Sequence, residues 1–158
     1  LAVRRQRQMC IRDSFWILSL ILAFSFMEFM AWFSHKYIMH GFLWALHKDH
    51  HIKDHKSWFE RNDVFFIFYA VVSMLFVISW SEYGFFFGLP IAIGIFLYGL
   101  TYFIVHDIFI HRRFKFFRNI DNKYARGVRR AHKIHHKNIN KDGGECFGML
   151  FVPKKYFK

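Results

Sequence analysis

Three apolar runs of membrane-spanning length constrain this chain more than any other feature. They cover residues 15–33, 64–80 and 85–105. The first run has 19 residues and would extend roughly 28 Å as a helix, close to the thickness of a bilayer's hydrocarbon core. We therefore expect an all-α integral membrane protein with three to four transmembrane helices.

The second and third runs form a predicted membrane hairpin. Their polar connection consists only of Ser81, Glu82 and Tyr83. Pro90 lies near the start of the third run, and proline suits the first turn of a helix. The third helix is therefore expected to begin near Pro90.

Positive charge predicts the orientation of these helices. The chain has 23 Lys+Arg against 11 Asp+Glu, a net charge of +12. Five of the basic residues lie in 35–63 and fourteen in 106–158, whereas the hairpin turn has none. Basic loops favour the cytoplasmic side, and they attract anionic membrane lipids. Because no nucleic-acid-binding motif accompanies the charge, no nucleic acid partner is expected.

Residues 1–13 are expected to stand apart from the rest of the chain. They carry four arginines, which opposes the predicted orientation if the first run crosses the membrane completely. The sequence also opens with Leu1 rather than Met. We interpret 1–13 as a truncated or non-native leader and 14–158 as a single domain.

Histidine is unusually abundant, and ten of the eleven histidines fall into four short motifs. These histidine boxes follow the order H-x4-H, H-x2-H-H, repeated once along the chain. Each half of the chain therefore contributes five imidazoles, close to the ends of the apolar runs. The box histidines are His35, His40, His47, His50, His51, His106, His111, His132, His135 and His136.

The spacing within the boxes indicates metal ligation. In H-x2-H-H the three rings lie on one face of a helix, so they can converge on one site. In H-x4-H an ideal helix separates the two rings by about 140°, so they share a face only at a bulge or a helix end, such as Gly41 would provide after His40. Otherwise the two members would serve different metals.

Ten imidazoles exceed the ligand need of one ion, so two metals are the economical count. No H-E-x-x-H motif is present, which excludes the corresponding zinc proteases. Cys10 and Cys146 form no C-x-x-C pair, and Cys-based redox or zinc chemistry is not expected. His55 lies outside every box and is interpreted as a solvated loop residue. A metal site at the membrane edge favours a lipid-soluble substrate.

Three carboxylates are candidates for orienting the ligand rings. Asp49 lies inside the second box and Asp107 directly follows His106, where a carboxylate can accept the other ring N–H. Glu28 is an acid within the first apolar run, a costly position, and it precedes His35 by two helical turns. Asp49 serves equally well as a surface charge, and Glu28 as a hydrogen-bond partner for another span.

The boxes and their surroundings resemble the membrane fatty acid hydroxylase/sterol desaturase superfamily. Within it, the chain is similar to the bacterial β-carotene hydroxylase family over roughly residues 16–153. The closer similarity lies in HKYIMHGFLW, FERND, YGLTYFIVHD, AHKIHH and GECFGMLFVP. Some members have four spans, so the resemblance implies a fourth span near residues 112–130 or one lost from the N-terminus.

The resemblance implies a non-haem diiron monooxygenase in a bacterial inner membrane. It would use O2 and a ferredoxin-type electron donor to hydroxylate the β-ionone rings of β-carotene, giving β-cryptoxanthin and then zeaxanthin. The ten box histidines carry over as the ligands of two iron ions. A lipid or sterol hydroxylase or desaturase of the same superfamily remains an alternative, as does a non-enzymatic membrane metal-binding protein.

Overall fold

A computed structural model describes residues 2–52, 57, 59–116, 119–140 and 142–157. Its α-helices are α1 (Ala2–Phe33), α2 (Trp44–His51), α3 (Asp63–Tyr83), α4 (Gly88–Tyr102) and α5 (Lys123–Lys137). A π-helical segment follows α1 at Ser34–Phe42 and another follows α4 at Phe103–Ile110, while a 3-10 helix covers Lys154–Phe157. Since the described residues include no β-strand, the predicted all-α class is confirmed.

Three helices are long and apolar enough to cross a membrane, as the three apolar runs predicted. They are Arg5–Phe42, Asp63–Tyr83 and Gly88–Ile110, the first and third of which include the π-helical segments. No residue of α3 is buried, as expected of a helix that faces lipid. The protein is therefore a membrane protein. Among the described residues there is no fourth candidate span, and those between Ser34–Phe42 and α3, or between Phe103–Ile110 and α5, add no long apolar helix.

The first compact unit consists of Leu1–Met27 and Ile67–Gly99. Its helices approach closely at small residues: a Cβ atom at Gly94 would lie 2.6 Å from the Leu20 carbonyl oxygen and 2.8 Å from the Ala23 Cβ. Ser73 Oγ donates a hydrogen bond to the Ala92 carbonyl oxygen at 2.9 Å, and α4 begins two residues before Pro90. Close contacts at small residues are the usual way in which membrane helices pack, because lipid provides no hydrophobic driving force between them.

The second compact unit consists of Glu28–Phe66 and Leu100–Lys158, and it contains all ten box histidines. Its amphipathic helix α5 buries Val128, Ala131 and two of its histidines while exposing a basic face. Asn122 caps α5 by accepting the Ala125 N–H at 2.8 Å, as asparagine commonly does at a helix start. The second unit thus contains every histidine that the sequence predicts as a metal ligand.

Candidate metal centre

The H-x4-H boxes coincide with the two π-helical segments: His35, His40 and His106 lie within them, and His111 directly follows the second. In such a segment the backbone N–H bonds to the carbonyl five residues earlier, and the His111 N–H donates in this way to the His106 carbonyl at 2.9 Å. This wider turn returns residue i+5 to the face of residue i, which an α-helix does not do. Gly41 lies inside the first segment and kinks it, with non-helical torsion angles of φ −108° and ψ −126°. The bulge that the spacing required is therefore present in both boxes.

The box histidines form two adjoining groups. Within each group, one nitrogen of every ring lies within 4.8 Å of one nitrogen of every other ring. Cluster A consists of His35, His40, His47, His51 and His135, and cluster B of His50, His106, His111 and His132.

The membership of the clusters decides between the two possibilities for the H-x4-H boxes, a shared face at a bulge or two different metals, in favour of the shared face. His35 and His40 both belong to cluster A, and His106 and His111 both belong to cluster B, because each π-helical turn places its two rings on one face. The H-x2-H-H boxes divide instead, which corrects the expectation that the three rings of each box converge on one site. His50 of the second box completes cluster B, and His135 of the fourth box completes cluster A, so the halves of the chain exchange one ligand each.

His136 lies against cluster B without belonging to the tight group. Its ring is 4.5 Å from that of His132 and 4.2 Å from that of His51, measured between centroids. Its buried Nε2 atom has no hydrogen-bond partner within the described residues. The last of the ten box histidines is thus at the junction of the two clusters. His55 lies outside the described residues.

Ring nitrogens within the clusters face one another at ligand-like distances. The two Nε2 atoms are 3.1 Å apart for His35 and His47, and 2.8 Å apart for His111 and His132. Two imidazole nitrogens at about 2.1 Å from one ion, with a right angle between them, are separated by about 3 Å. The spacing therefore fits rings that share a metal ion.

Hydrogen bonds on the far side of the rings fix which nitrogen carries the proton. The Nδ1 atoms of His40 and His135 lie 2.8 and 3.0 Å from the carbonyl oxygens of Ile139 and Glu145. A carbonyl only accepts, so Nδ1 donates and Nε2 of the neutral ring keeps its lone pair. Yet the two Nε2 atoms face each other at 3.2 Å. Two lone pairs so placed repel unless a cation lies between them, and the donor set of cluster A therefore fits a metal ion.

Cluster B also has buried ring nitrogens that a cation would satisfy. The Nε2 atoms of His50 and His106 are buried and have no hydrogen-bond partner within the part of the chain that the structure describes. Their Nδ1 atoms instead contact carboxylate oxygens, Glu60 Oε2 at 2.8 Å and Asp107 Oδ2 at 3.2 Å. Buried polar atoms normally have a partner, and the partner that suits two converging imidazole nitrogens is a metal.

Burial keeps the ligand rings uncharged. Removal from water lowers the pKa of His47 and His135 to about 3 and that of His136 to about 4. Burial also lowers the pKa of His51 and His111, with further contributions from neighbouring imidazoles. At neutral pH these rings are in the unprotonated form that binds metals.

The three carboxylates singled out in the sequence have different surroundings. Asp107 contacts the His106 ring and also accepts from Arg113 Nη1 at 2.5 Å. Asp49 is buried and accepts the Arg61 backbone N–H at 2.6 Å, which ties Arg61 to α2. Of these two carboxylates, Asp107 directly contacts a box histidine, whereas Asp49 holds the backbone at Arg61.

Glu28 holds the C-terminal part of the chain beside cluster A. Its Oε1 atom accepts the backbone N–H groups of Met149, Leu150 and Phe151 at 3.0, 2.9 and 3.1 Å. The same segment supplies the Phe147 carbonyl oxygen, which lies 2.9 Å from His35 Nδ1. Glu28 is therefore linked to His35 through the segment and not only along the first helix.

Sequence reasoning missed two residues that hold ligand rings. Asn62 Oδ1 lies 2.7 Å from His47 Nδ1, and Glu60 Oε2 contacts His50. Both belong to the FERND motif, which carried the family resemblance but was given no role. Burial raises the pKa of Glu60, and the positive charge of Arg113 opposes that rise.

Comparison of this chain with known proteins identifies one protein family. Residues 20–153 match the family model described as fatty acid hydroxylase. The chain is 38% identical over 130 residues to a β-carotene hydroxylase of a Paracoccus species, covering 80% of this chain and 78% of the relative. It is 40% identical over 128 residues to the β-carotene hydroxylase of Pantoea ananas, covering 80% and 71%.

Plant relatives match across a smaller share of their length. A chloroplastic β-carotene 3-hydroxylase of Arabidopsis thaliana is 36% identical over 138 residues, which cover 82% of this chain and 42% of that protein. No solved structure matches the chain. The β-carotene hydroxylase resemblance is confirmed by these relatives.

Proposed function

The chain belongs to the fatty acid hydroxylase family, and on that premise we propose that it hydroxylates the β-ionone rings of carotenoids at the 3-position. β-Carotene would give β-cryptoxanthin after one reaction and zeaxanthin after two. The family and the names of its relatives already make it a hydroxylating oxidoreductase. What the proposal adds is the substrate, the products and a pair of iron ions held by the ten box histidines.

The pair of facing Nε2 atoms of His40 and His135 is the observation that carries the metal centre of the proposal, while the named relatives support the substrate. Both rings donate from Nδ1 to backbone carbonyls, so both direct a lone pair to the same point. Such a preformed donor set without thiolates suits iron as well as zinc or copper. A pair of iron ions in clusters A and B would supply the activation of O2 that insertion into an unactivated C–H bond requires.

The overall reaction requires electrons from outside the chain. One ring C–H bond is replaced by C–OH, the second oxygen atom of O2 leaves as water, and two electrons and two protons are consumed. We assign the electrons to a ferredoxin-type donor protein. The basic segments 35–63 and 106–158 also contain the histidine boxes. Because basic segments favour the cytoplasmic side, they support an inner-membrane location with the histidines facing the cytoplasm.

The residues of this chain orient the ligands and keep water away. Phe147 is buried and its ring packs against those of His35, His40 and His135 at centroid distances of 5.0–5.5 Å. Trp44 packs on His40 and His51, and Tyr102 packs on His106 at 4.8 Å. Aromatic rings in these places shield the histidines from solvent and provide an apolar surface suited to a carotenoid end group.

Expression in a β-carotene-producing bacterium tests this proposal. The wild-type chain should convert β-carotene to β-cryptoxanthin and zeaxanthin, separated by chromatography, and the His50→Ala variant should not. Unchanged β-carotene in cells that contain folded, iron-loaded protein would contradict the substrate assignment. It would favour the second candidate, a lipid or sterol hydroxylase or desaturase, of which the description of the family model, fatty acid hydroxylase, supports a lipid hydroxylase.

A further inference from the structure

The two histidine clusters differ in the groups that accept their Nδ1 hydrogens. In cluster A all of the Nδ1 partners described above are neutral oxygens. They are the carbonyl oxygens of Phe147, Ile139 and Glu145 and the amide oxygen of Asn62. In cluster B, His50 and His106 meet the carboxylates of Glu60 and Asp107.

A carboxylate and a carbonyl affect a ligating imidazole differently. A carboxylate that accepts the Nδ1–H draws the proton toward itself, makes Nε2 more basic and strengthens its bond to a metal. Its negative charge also attracts the cation directly. A backbone carbonyl orients the ring equally well but adds no charge. Cluster B is therefore the more electron-rich donor set even though it has fewer members.

Glu60 is the main source of this difference. The charge of Asp107 is shared with Arg113 through a direct hydrogen bond, and the same guanidinium bonds Asp63 at 3.1 Å, whereas it acts on Glu60 through its positive charge. The side chain of Glu60 is 12% exposed, and its Oε2 atom lies 2.8 Å from His50 Nδ1. Asn62, two residues further on, occupies the equivalent place beside His47 of cluster A. The same short loop thus gives a charged acceptor to one cluster and a neutral acceptor to the other.

We propose that the two metal positions are inequivalent, that cluster B binds the first divalent metal ion more tightly, and that Glu60 is the positioning residue responsible. This inference rests on the metal site of the proposed function, but it requires neither carotenoid nor O2. Binding of the metal alone can therefore test it separately from the reaction.

Titration of metal-free protein in detergent with Co²⁺ tests the inference, because imidazole-bound Co²⁺ absorbs visible light and a chelator in competition gives both affinities. The wild-type protein should bind two equivalents with different affinities. His111→Ala should remove the tighter equivalent and His35→Ala the weaker one. Glu60→Gln keeps an acceptor oxygen but removes the charge, and it should weaken the tighter equivalent by about 10-fold or more while sparing the other.

Substitution of Asn62, which contacts His47, tests the same inference in cluster A. Asn62→Asp adds a carboxylate beside His47 and should tighten the weaker equivalent, a result that a purely structural role for this loop would not produce. It also keeps the inference testable if Glu60→Gln fails to fold. Glu82→Gln, the same exchange at an exposed site in the last turn of α3, is the matched control and should change neither affinity.

Three results would overturn the inference. They are two equal affinities in the wild-type protein, weakening of the weaker equivalent by Glu60→Gln, and no effect of Asn62→Asp on a folded protein. Failure of the wild-type protein to bind any Co²⁺ would contradict the proposed metal centre itself. If the protein binds two Co²⁺ ions with different affinities but leaves β-carotene unchanged in cells, this inference stands and only the substrate assignment fails.

Discussion

The ring of His50 stacks on the ring of His106 with centroids 4.7 Å apart and an interplanar angle of 29°, although 55 residues separate them along the chain. The contact brings the second histidine box into the cluster built mainly by the third and fourth. His135 makes the reciprocal exchange, with its ring 4.4 Å from that of His35. Because each cluster takes a ligand from both halves of the chain, neither half can form a complete site alone.

Replacement of His50 by alanine should empty cluster B. The variant is expected to retain about one metal equivalent where the wild-type protein holds two, since cluster A keeps all of its members, and hydroxylation should be lost. Elemental analysis of purified protein measures the metal content. His55→Ala, a histidine exchange outside the boxes, is the control. Two retained equivalents in folded His50→Ala protein would contradict this account.

Loss of the Glu28 carboxylate should loosen the segment that supports cluster A. Glu28→Ala leaves three backbone N–H groups without their acceptor, and hydrogen bonds to a charged group contribute about 1.5–3 kcal/mol each, although not additively. We expect a fall in the free energy of unfolding of at least about 1–3 kcal/mol, visible as a lower thermal midpoint. Glu28→Gln keeps an acceptor oxygen and should have a smaller effect. Equal stability of all three proteins would show that the contacts with Met149, Leu150 and Phe151 are not stabilising.

Enlargement of Gly94 should destabilise the packing of the first compact unit without altering the histidines. An added Cβ meets the Leu20 carbonyl, which is part of the backbone and cannot move aside as a side chain can. Gly94→Ala should therefore cost about 1–3 kcal/mol, the usual range for overpacking. The folded fraction should keep its metal, because every box histidine belongs to the second unit. Phe96→Ala, at a side chain that is 63% exposed on the same helix, should change stability much less.

The parts of the site that follow from periodicity were predictable from the sequence. The H-x2-H-H spacing identifies three rings on one face of a helix, and the structure has those boxes on α2 and α5. The apolar runs likewise predict the three long helices, because lipid requires continuous apolar surface. The H-x4-H spacing indicates only that an ideal helix must be interrupted, and the π-helical turns provide the interruption.

The parts that depend on contacts between distant segments were not predictable. Nothing in the spacing of the second box shows that His50 turns to His106 while His47 turns to His35. Glu60 and Asn62 contact box histidines of α2 from outside that helix. Backbone carbonyls such as that of Phe147 belong to every residue type, so the sequence cannot mark them as hydrogen-bond acceptors. The roles of these groups become visible only in three dimensions.

The most direct test of the central claim is the source of the oxygen atom in the product. Purified iron-loaded protein, given β-carotene, a reduced ferredoxin-type donor and isotopically labelled O2 in unlabelled water, should form β-cryptoxanthin and zeaxanthin whose hydroxyl groups carry the label, as measured by mass spectrometry. Both products should be absent with His50→Ala. Hydroxyl oxygen derived from water, or no hydroxylation by protein that holds its metal and is reduced by the donor, would contradict the account.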